Sequence, residues 1–164
     1  MTATSGEKTK TNVGLEAAAT EAICKSMNGY LADLHVLYTK LHNFHWNVEG
    51  PAFYTLHEVL EGLYDAVHAE IDEVAERVLK LGHRPLASLA DYSKATSLHE
   101  EPSRSYAGKE LVDILLKDYQ HLAHSLRELI ELAGGHGDEG TADDAVGMLK
   151  DKEKTIWMLT AYNS

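Results

Sequence analysis

Four long stretches of this chain repeat apolar residues at three- and four-residue steps, and no strand-like alternation interrupts them. The first, about residues 15–47, carries Ile23, Met27, Tyr30, Leu34, Leu37, Tyr38 and Leu41, and His45 continues the same stripe. Gly50 and Pro51 punctuate the chain before a second stretch, about 52–81, with Leu56, Leu60, Leu63, Val67, Ile71, Val74 and Val78; Gly82 is its natural stop, and Pro85 follows. A third, about 108–132, is marked by Leu111, Leu115, Tyr119, Leu122, Leu126 and Leu129. After a glycine-rich segment at 134–140, a fourth is expected from Thr141, as N-cap with Asp144 three residues on, to about 161. Four amphipathic helices bury their stripes most economically against one another, which makes the fold all-α and a four-helix bundle. The outer loops are short, whereas the connection at 83–107 is long enough to cross over. About 25 structureless residues would be unusual there, so a short helix is expected within 86–92.

At 164 residues the chain suits a single domain, here residues 15–164, preceded by a flexible tail at 1–14. The net charge of −11 opposes attraction to phosphate backbones and favours cations at acidic patches. Lys8 and Lys10 in the tail, offset by Glu7, are a thin basic footprint. The one cysteine, Cys24, excludes an intrachain disulfide and is read as a small core residue, in keeping with a reducing compartment. No run approaches the ~18 apolar residues of a membrane span, and residues 1–12 lack the apolar centre of a secretory signal, so the expected location is cytoplasmic.

The second helix carries His57, Glu61, Asp72 and Glu76. At about 100° per residue all four lie within a stripe of about 100°, centred to one side of the apolar face. Along the axis, Glu61 and Asp72 are about 16 Å apart at a rise of roughly 1.5 Å per residue, whereas ligand bonds span only about 2 Å. One helix cannot wrap these groups around one ion. An antiparallel copy across a two-fold axis would set His57/Glu61 of one subunit against Asp72/Glu76 of its mate, giving two equivalent sites per dimer. Oxygen donors with one or two imidazoles suit iron. Two other readings stand beside this one: a merely solvated helix flank, and a di-iron centre inside one bundle built on Asp65/His68 and Asp118/His121. The second lacks the Glu-x-x-His pairs and the partner glutamates that such centres use.

The run His45-Trp46-Asn47, then Gly50, Phe53, His57-Glu58, Glu61, Asp72 and Ala75-Glu76-Arg77, resembles the signature of the Dps family of ferritin-like miniferritins, the DNA-binding proteins from starved cells. The likeness extends through Gly82 to Pro85, Thr141-Ala142-Asp143 and Trp157. It implies a ferritin-like bundle with a crossover between the second and third long helices. It further implies twelve copies in a hollow shell of 23 symmetry, with iron-oxidising centres between two-fold-related subunits. By the same resemblance His45, His57 and Glu61 are metal ligands from one subunit, and Asp72 and Glu76 from the other. Glu61 stands where many members carry aspartate, which lengthens that carboxylate's reach. Trp46 matches an aromatic neighbour of the centre that takes up an oxidising equivalent, or else packs at the interface. The implied activity is ferroxidase: Fe(II) is oxidised, preferably by hydrogen peroxide and otherwise by dioxygen, and Fe(III) mineral is stored, limiting oxidative damage. Zinc is a possible competitor at the histidines. Asp138 and Asp143 resemble residues of a three-fold pore that guides cations inward, and Glu58 is placed to nucleate mineral. Members that bind DNA generally use basic terminal extensions, which this chain lacks, so DNA binding is expected to be weak or absent. Nucleoid association in a bacterium or archaeon would follow only if DNA is bound.

Overall fold

The computed structural model describes residues 11–164. The tail expected at 1–14 therefore lies largely outside the described residues; Thr11 to Gly14 form a turn, with the Gly14 amide donating to the Thr11 carbonyl at 3.0 Å. Four long helices follow: α1 Ala17–Asn47, α2 Phe53–Lys80, α4 Gly108–Gly135 and α5 Glu139–Tyr162, with short α3, Leu89–Ala95, in the crossover. The chain is all-α, as expected. The apolar stripes meet in one core, where Ile23, Leu34, Leu41, Leu60, Val78, Leu111, Leu115 and Leu126 are almost wholly excluded from solvent. Among the described residues no helix is long and apolar enough to cross a membrane.

Connections fix the direction of each helix. Val48–Glu49 (β1) pairs in parallel with Tyr106–Ala107 (β2), so the α1–α2 turn and the start of α4 lie at the same end. The crossover must therefore run back along the whole bundle. Polar residues of α1 hold it there: Leu86 N–H donates to Asn28 at 2.8 Å, Asp33 accepts from Thr96 and Ser97 at 2.7 Å each, and Asn43 donates to the Glu101 carbonyl at 3.0 Å. Within it, Ser88 caps α3 by accepting from the Asp91 amide. This helix begins three residues later than the expected 86, because Pro85 and the bond from Leu86 N–H to Asn28 keep the preceding chain extended against α1.

Two helix ends share one device. At Gly82 (φ 87°) and Gly137 (φ 73°) the chain enters the left-handed region, which glycine adopts without a Cβ clash. His83 and Gly82 N–H return to Val78 and Leu79 carbonyls, and Asp138 and Gly137 N–H to Ala133 and Gly134, closing a paired C-terminal motif each time. The second turn corrects one expectation: α5 starts at Glu139, capped by Asp138, and not at Thr141. Gly137 turns the chain so sharply that the Asp138 carboxylate accepts from both Thr141 N–H at 3.0 Å and Thr141 Oγ–H at 2.5 Å.

The α5 helix packs closely on α4, but against α2 it leaves a groove of about 940 Å³ lined by Leu63, Ala66, Glu70, Glu73, Gly147 and Lys152 among others. Two polar bridges span these helices. Lys152 donates to Glu70, which also accepts from Tyr30 Oη–H, and Arg77 reaches Asp138 and Thr141. At the outer end of α5, Trp157 is 68% exposed.

Cys24 is buried in the core, and burial pushes its thiol up to about 11. Only the thiolate is a strong nucleophile, so the folded protein should consume no thiol reagent at pH 8 over minutes, and one equivalent per chain in denaturant. Rapid labelling of the native protein would contradict this placement.

Candidate metal centre

The candidate centre begins where α1 turns into α2. His45 on the last turn of α1 is buried, and His57 on the second turn of α2 is half-buried. Their rings stack with centroids 3.7 Å apart and planes 18° apart. His45 Nδ1–H donates to the His57 carbonyl at 2.8 Å, and His57 Nδ1–H donates to the His45 carbonyl at 2.9 Å. A carbonyl can only accept, so both Nδ1 atoms carry the hydrogen, and in the neutral ring the lone pair lies on Nε2. That is the tautomer a metal-ligating histidine needs, with the second ring nitrogen oriented by a backbone oxygen. Phe53 stacks on His57 at 5.2 Å and Tyr64 meets His45 edge-on at 5.3 Å, so the imidazoles are walled by aromatic rings.

Glu61 is exposed one turn beyond His57, and Asp72 and Glu76 are exposed farther along the same flank of α2. Taking about 100° per residue, the core face of α2, its ligand flank and its groove face divide the helix into three. No group of three or more metal-capable side chains comes together among the described residues of one chain. The structure thus joins His45 to His57 and leaves Asp72 and Glu76 apart from them. Trp46 is 70% exposed and tilts against His42 at 5.3 Å, while His42 stacks on Tyr64 at 4.0 Å. The hydroxyl of Tyr64 is held above the usual tyrosine range by desolvation and by Glu61 and Asp65 beside it. Sequence reading passed over Tyr64 and the reciprocal bonds; the tyrosine's position one turn after Glu61 was the available signal.

An interior centre finds no support. Asp118 faces the Lys40 ammonium at 2.7 Å, and His121 Nε2 lies 3.0 Å from Asp33, whose other oxygen is taken by the crossover. Burial raises the Asp118 carboxyl above the usual range, and Lys40 opposes that shift. Asp65 and His68 are both exposed on α2. Glu70 is engaged by Lys152, so Glu70 and Asp118 both have ammonium partners.

Of the residues assigned to a pore, Asp143 is exposed beside the groove, whereas Asp138 is 3% exposed and its oxygens are engaged by Thr141 and by Arg77 at 2.6 Å. Glu58 is exposed on α2.

A family model for the ferritin-like domain matches residues 24–164. The "DNA protection during starvation protein 2" of Bacillus anthracis is 39% identical over 140 residues, 85% of this chain and 95% of that protein. The "DNA protection during starvation protein" of Helicobacter pylori is 40% identical over 131 residues, covering 80% and 91%. The chain belongs to the Dps family. Its Dps fold superposes on a crystal structure from Vibrio cholerae with a TM-score of 0.92 and 33% identity, over 98% of this chain and 100% of that one. That protein is described as a Dps and as a member of a broad superfamily of ferritin-like diiron-carboxylate proteins.

Proposed function

We propose that this chain is an iron-sequestering ferroxidase that works as a hollow homododecamer, its metal sites built across two-fold interfaces. The observation that carries this reading is the His45–His57 pair: two free Nε2 atoms beside exposed Glu61, on a helix whose Asp72 and Glu76 are exposed and too distant to join them. Imidazole and carboxylate together fit iron, and family membership supports iron sequestration and protection under stress. His45, His57 and Glu61 of one subunit with Asp72 and Glu76 of the next would bind Fe(II) as substrate. Hydrogen peroxide, the preferred oxidant in this reading, takes one electron from each of two Fe(II). With two protons from solvent it leaves as two waters, and Fe(III) passes inward to be stored as mineral. Trp46 supplies an oxidisable ring at the edge of the site. Asp143 lends charge to an entry pore whose segment Asp138 anchors, and Glu58 offers a nucleation carboxylate. Zinc, which favours the same imidazoles, competes. The proposed location is the cytoplasm.

The test compares peroxide-driven Fe(II) oxidation by the parent and by Asp72→Ala/Glu76→Ala, with assembly size followed by light scattering. Loss of even outer-shell partners costs about 10–100-fold in metal sites, so deleting two ligands should slow oxidation by about 100-fold or more. Equal rates would overturn the assignment.

Compaction of DNA is the competing function, and the net charge of −11 argues against it. The purified protein should leave plasmid DNA unshifted at about 0.15 M salt, where screening reaches within ~8 Å. A tight shift insensitive to salt would reverse that conclusion.

A further inference from the structure

The Asp72/Glu76 half of the site sits on the last two and a half turns of α2, which end at Lys80, and helix ends are where backbone order is weakest. On its α5 side this part of α2 borders the groove, and the contact that crosses there is Arg77. Its Nε–H donates to Thr141 Oγ1 at 2.9 Å, one terminal nitrogen donates to Asp138 Oδ1 at 2.6 Å, and Asp144 lies 3.9 Å away. Asp138 is buried, so this partner is fixed by the cap it also forms. The backbone makes room for the guanidinium at Gly140, where a Cβ would stand 2.7 Å from the terminal nitrogen.

We propose that Arg77 is a positioning residue for the metal site: by bolting the end of α2 to the start of α5, it sets where Asp72 and Glu76 meet the neighbouring subunit's His45, His57 and Glu61. This rests on the interface site proposed above. Arg77 points to the flank of α2 opposite the ligands, so its influence passes through the placement of the helix and involves no contact with metal. Ligand constellations tolerate about 0.5 Å of error, so a contact that fixes this end of the helix bears directly on the site.

The test titrates the full-length assembled protein with Co(II), which reports affinity and ligand geometry through its visible absorption. Arg77→Met should raise the dissociation constant about tenfold, the lower end of the range for residues one layer out from a metal. Arg77→Lys should recover part of that, because lysine keeps the charge to Asp138 but cannot serve Thr141 in the same fork. Gly140→Ala keeps Arg77 and favours helix, yet crowds the guanidinium, so it should also weaken Co(II) binding while light scattering shows unchanged size. If Arg77→Met and Gly140→Ala bind Co(II) with the parent's affinity and spectrum, the positioning role is overturned, whatever happens to melting temperature. Should Arg77→Met fail to fold, Gly140→Ala decides the question alone. An Asp72→Ala/Glu76→Ala control that binds Co(II) as tightly as the parent would instead sink the interface site, and this role with it.

Discussion

Mixing two inactive variants should restore iron oxidation. In the interface site proposed above, His57→Ala/Glu61→Ala removes one half of every site, and Asp72→Ala/Glu76→Ala removes the other. In a dimer of one variant with itself, both sites are broken. In a mixed dimer, one site receives both broken halves and the other receives both intact halves. Dissociating the two proteins, combining them in equal amounts and reassembling them gives half mixed dimers, so about one quarter of all sites should work. The oxidation rate should therefore rise from background to roughly a quarter of the parent's, and no rise should appear if the variants are mixed without dissociation. Failure to recover activity after verified subunit exchange would show that the ligands do not come from two chains. The prediction draws on the same geometry that separates the groups: His45 and His57 are latched together at one end of α2, while Asp72 and Glu76 stand exposed toward the other.

Lys152→Met should be strongly destabilising. Lys152 is 4% exposed and Glu70 8%, and Tyr30 donates to the same carboxylate. The substitution leaves Glu70 with one neutral donor in place of an ammonium. Breaking a buried pair from one side costs about 3–5 kcal/mol. For a chain of this length each kcal/mol shifts melting by about 2–4 °C, so Tm should fall by roughly 6–20 °C. Replacing the whole network, in Lys152→Met/Glu70→Leu/Tyr30→Phe, should recover most of the loss, because well-packed apolar groups often substitute for an entire ion pair without penalty. Thermal unfolding followed by circular dichroism distinguishes these outcomes. A single variant that melts within a degree or two of the parent would mean that Glu70 is not the buried partner described.

The periodicity of α1, α2 and α4 was legible because each puts its apolar residues on one face at regular steps, and most of those residues are buried. For α5 the pattern was fainter, since Thr141, Ala145, Lys152 and Leu159 are its buried positions and two of them are polar. The two-residue β bridge has no period to detect. Asn28, Asp33 and Asn43 looked like ordinary polar helix residues, yet each holds the crossover through a bond that only tertiary placement creates. At the site, spacing revealed that Asp72 and Glu76 could not reach His57, but not that His45 and His57 fix each other's tautomer through backbone carbonyls. Asp138 illustrates the opposite case. Its place in an acidic, glycine-rich segment drew attention to its charge, while Gly137 before it and Thr141 three residues on carried the signal of a helix cap.

Trp46 and Trp157, the chain's two tryptophans, both project from the single subunit. Folding of an isolated chain leaves both indoles in water, so their emission would barely separate a folded monomer from an unfolded one. In the assembly proposed above, a shift to shorter wavelength would instead mark the moment another copy covers them. Intrinsic fluorescence would then be a gauge of association, and a denaturation curve read by it would time the parting of subunits before the melting of the bundle.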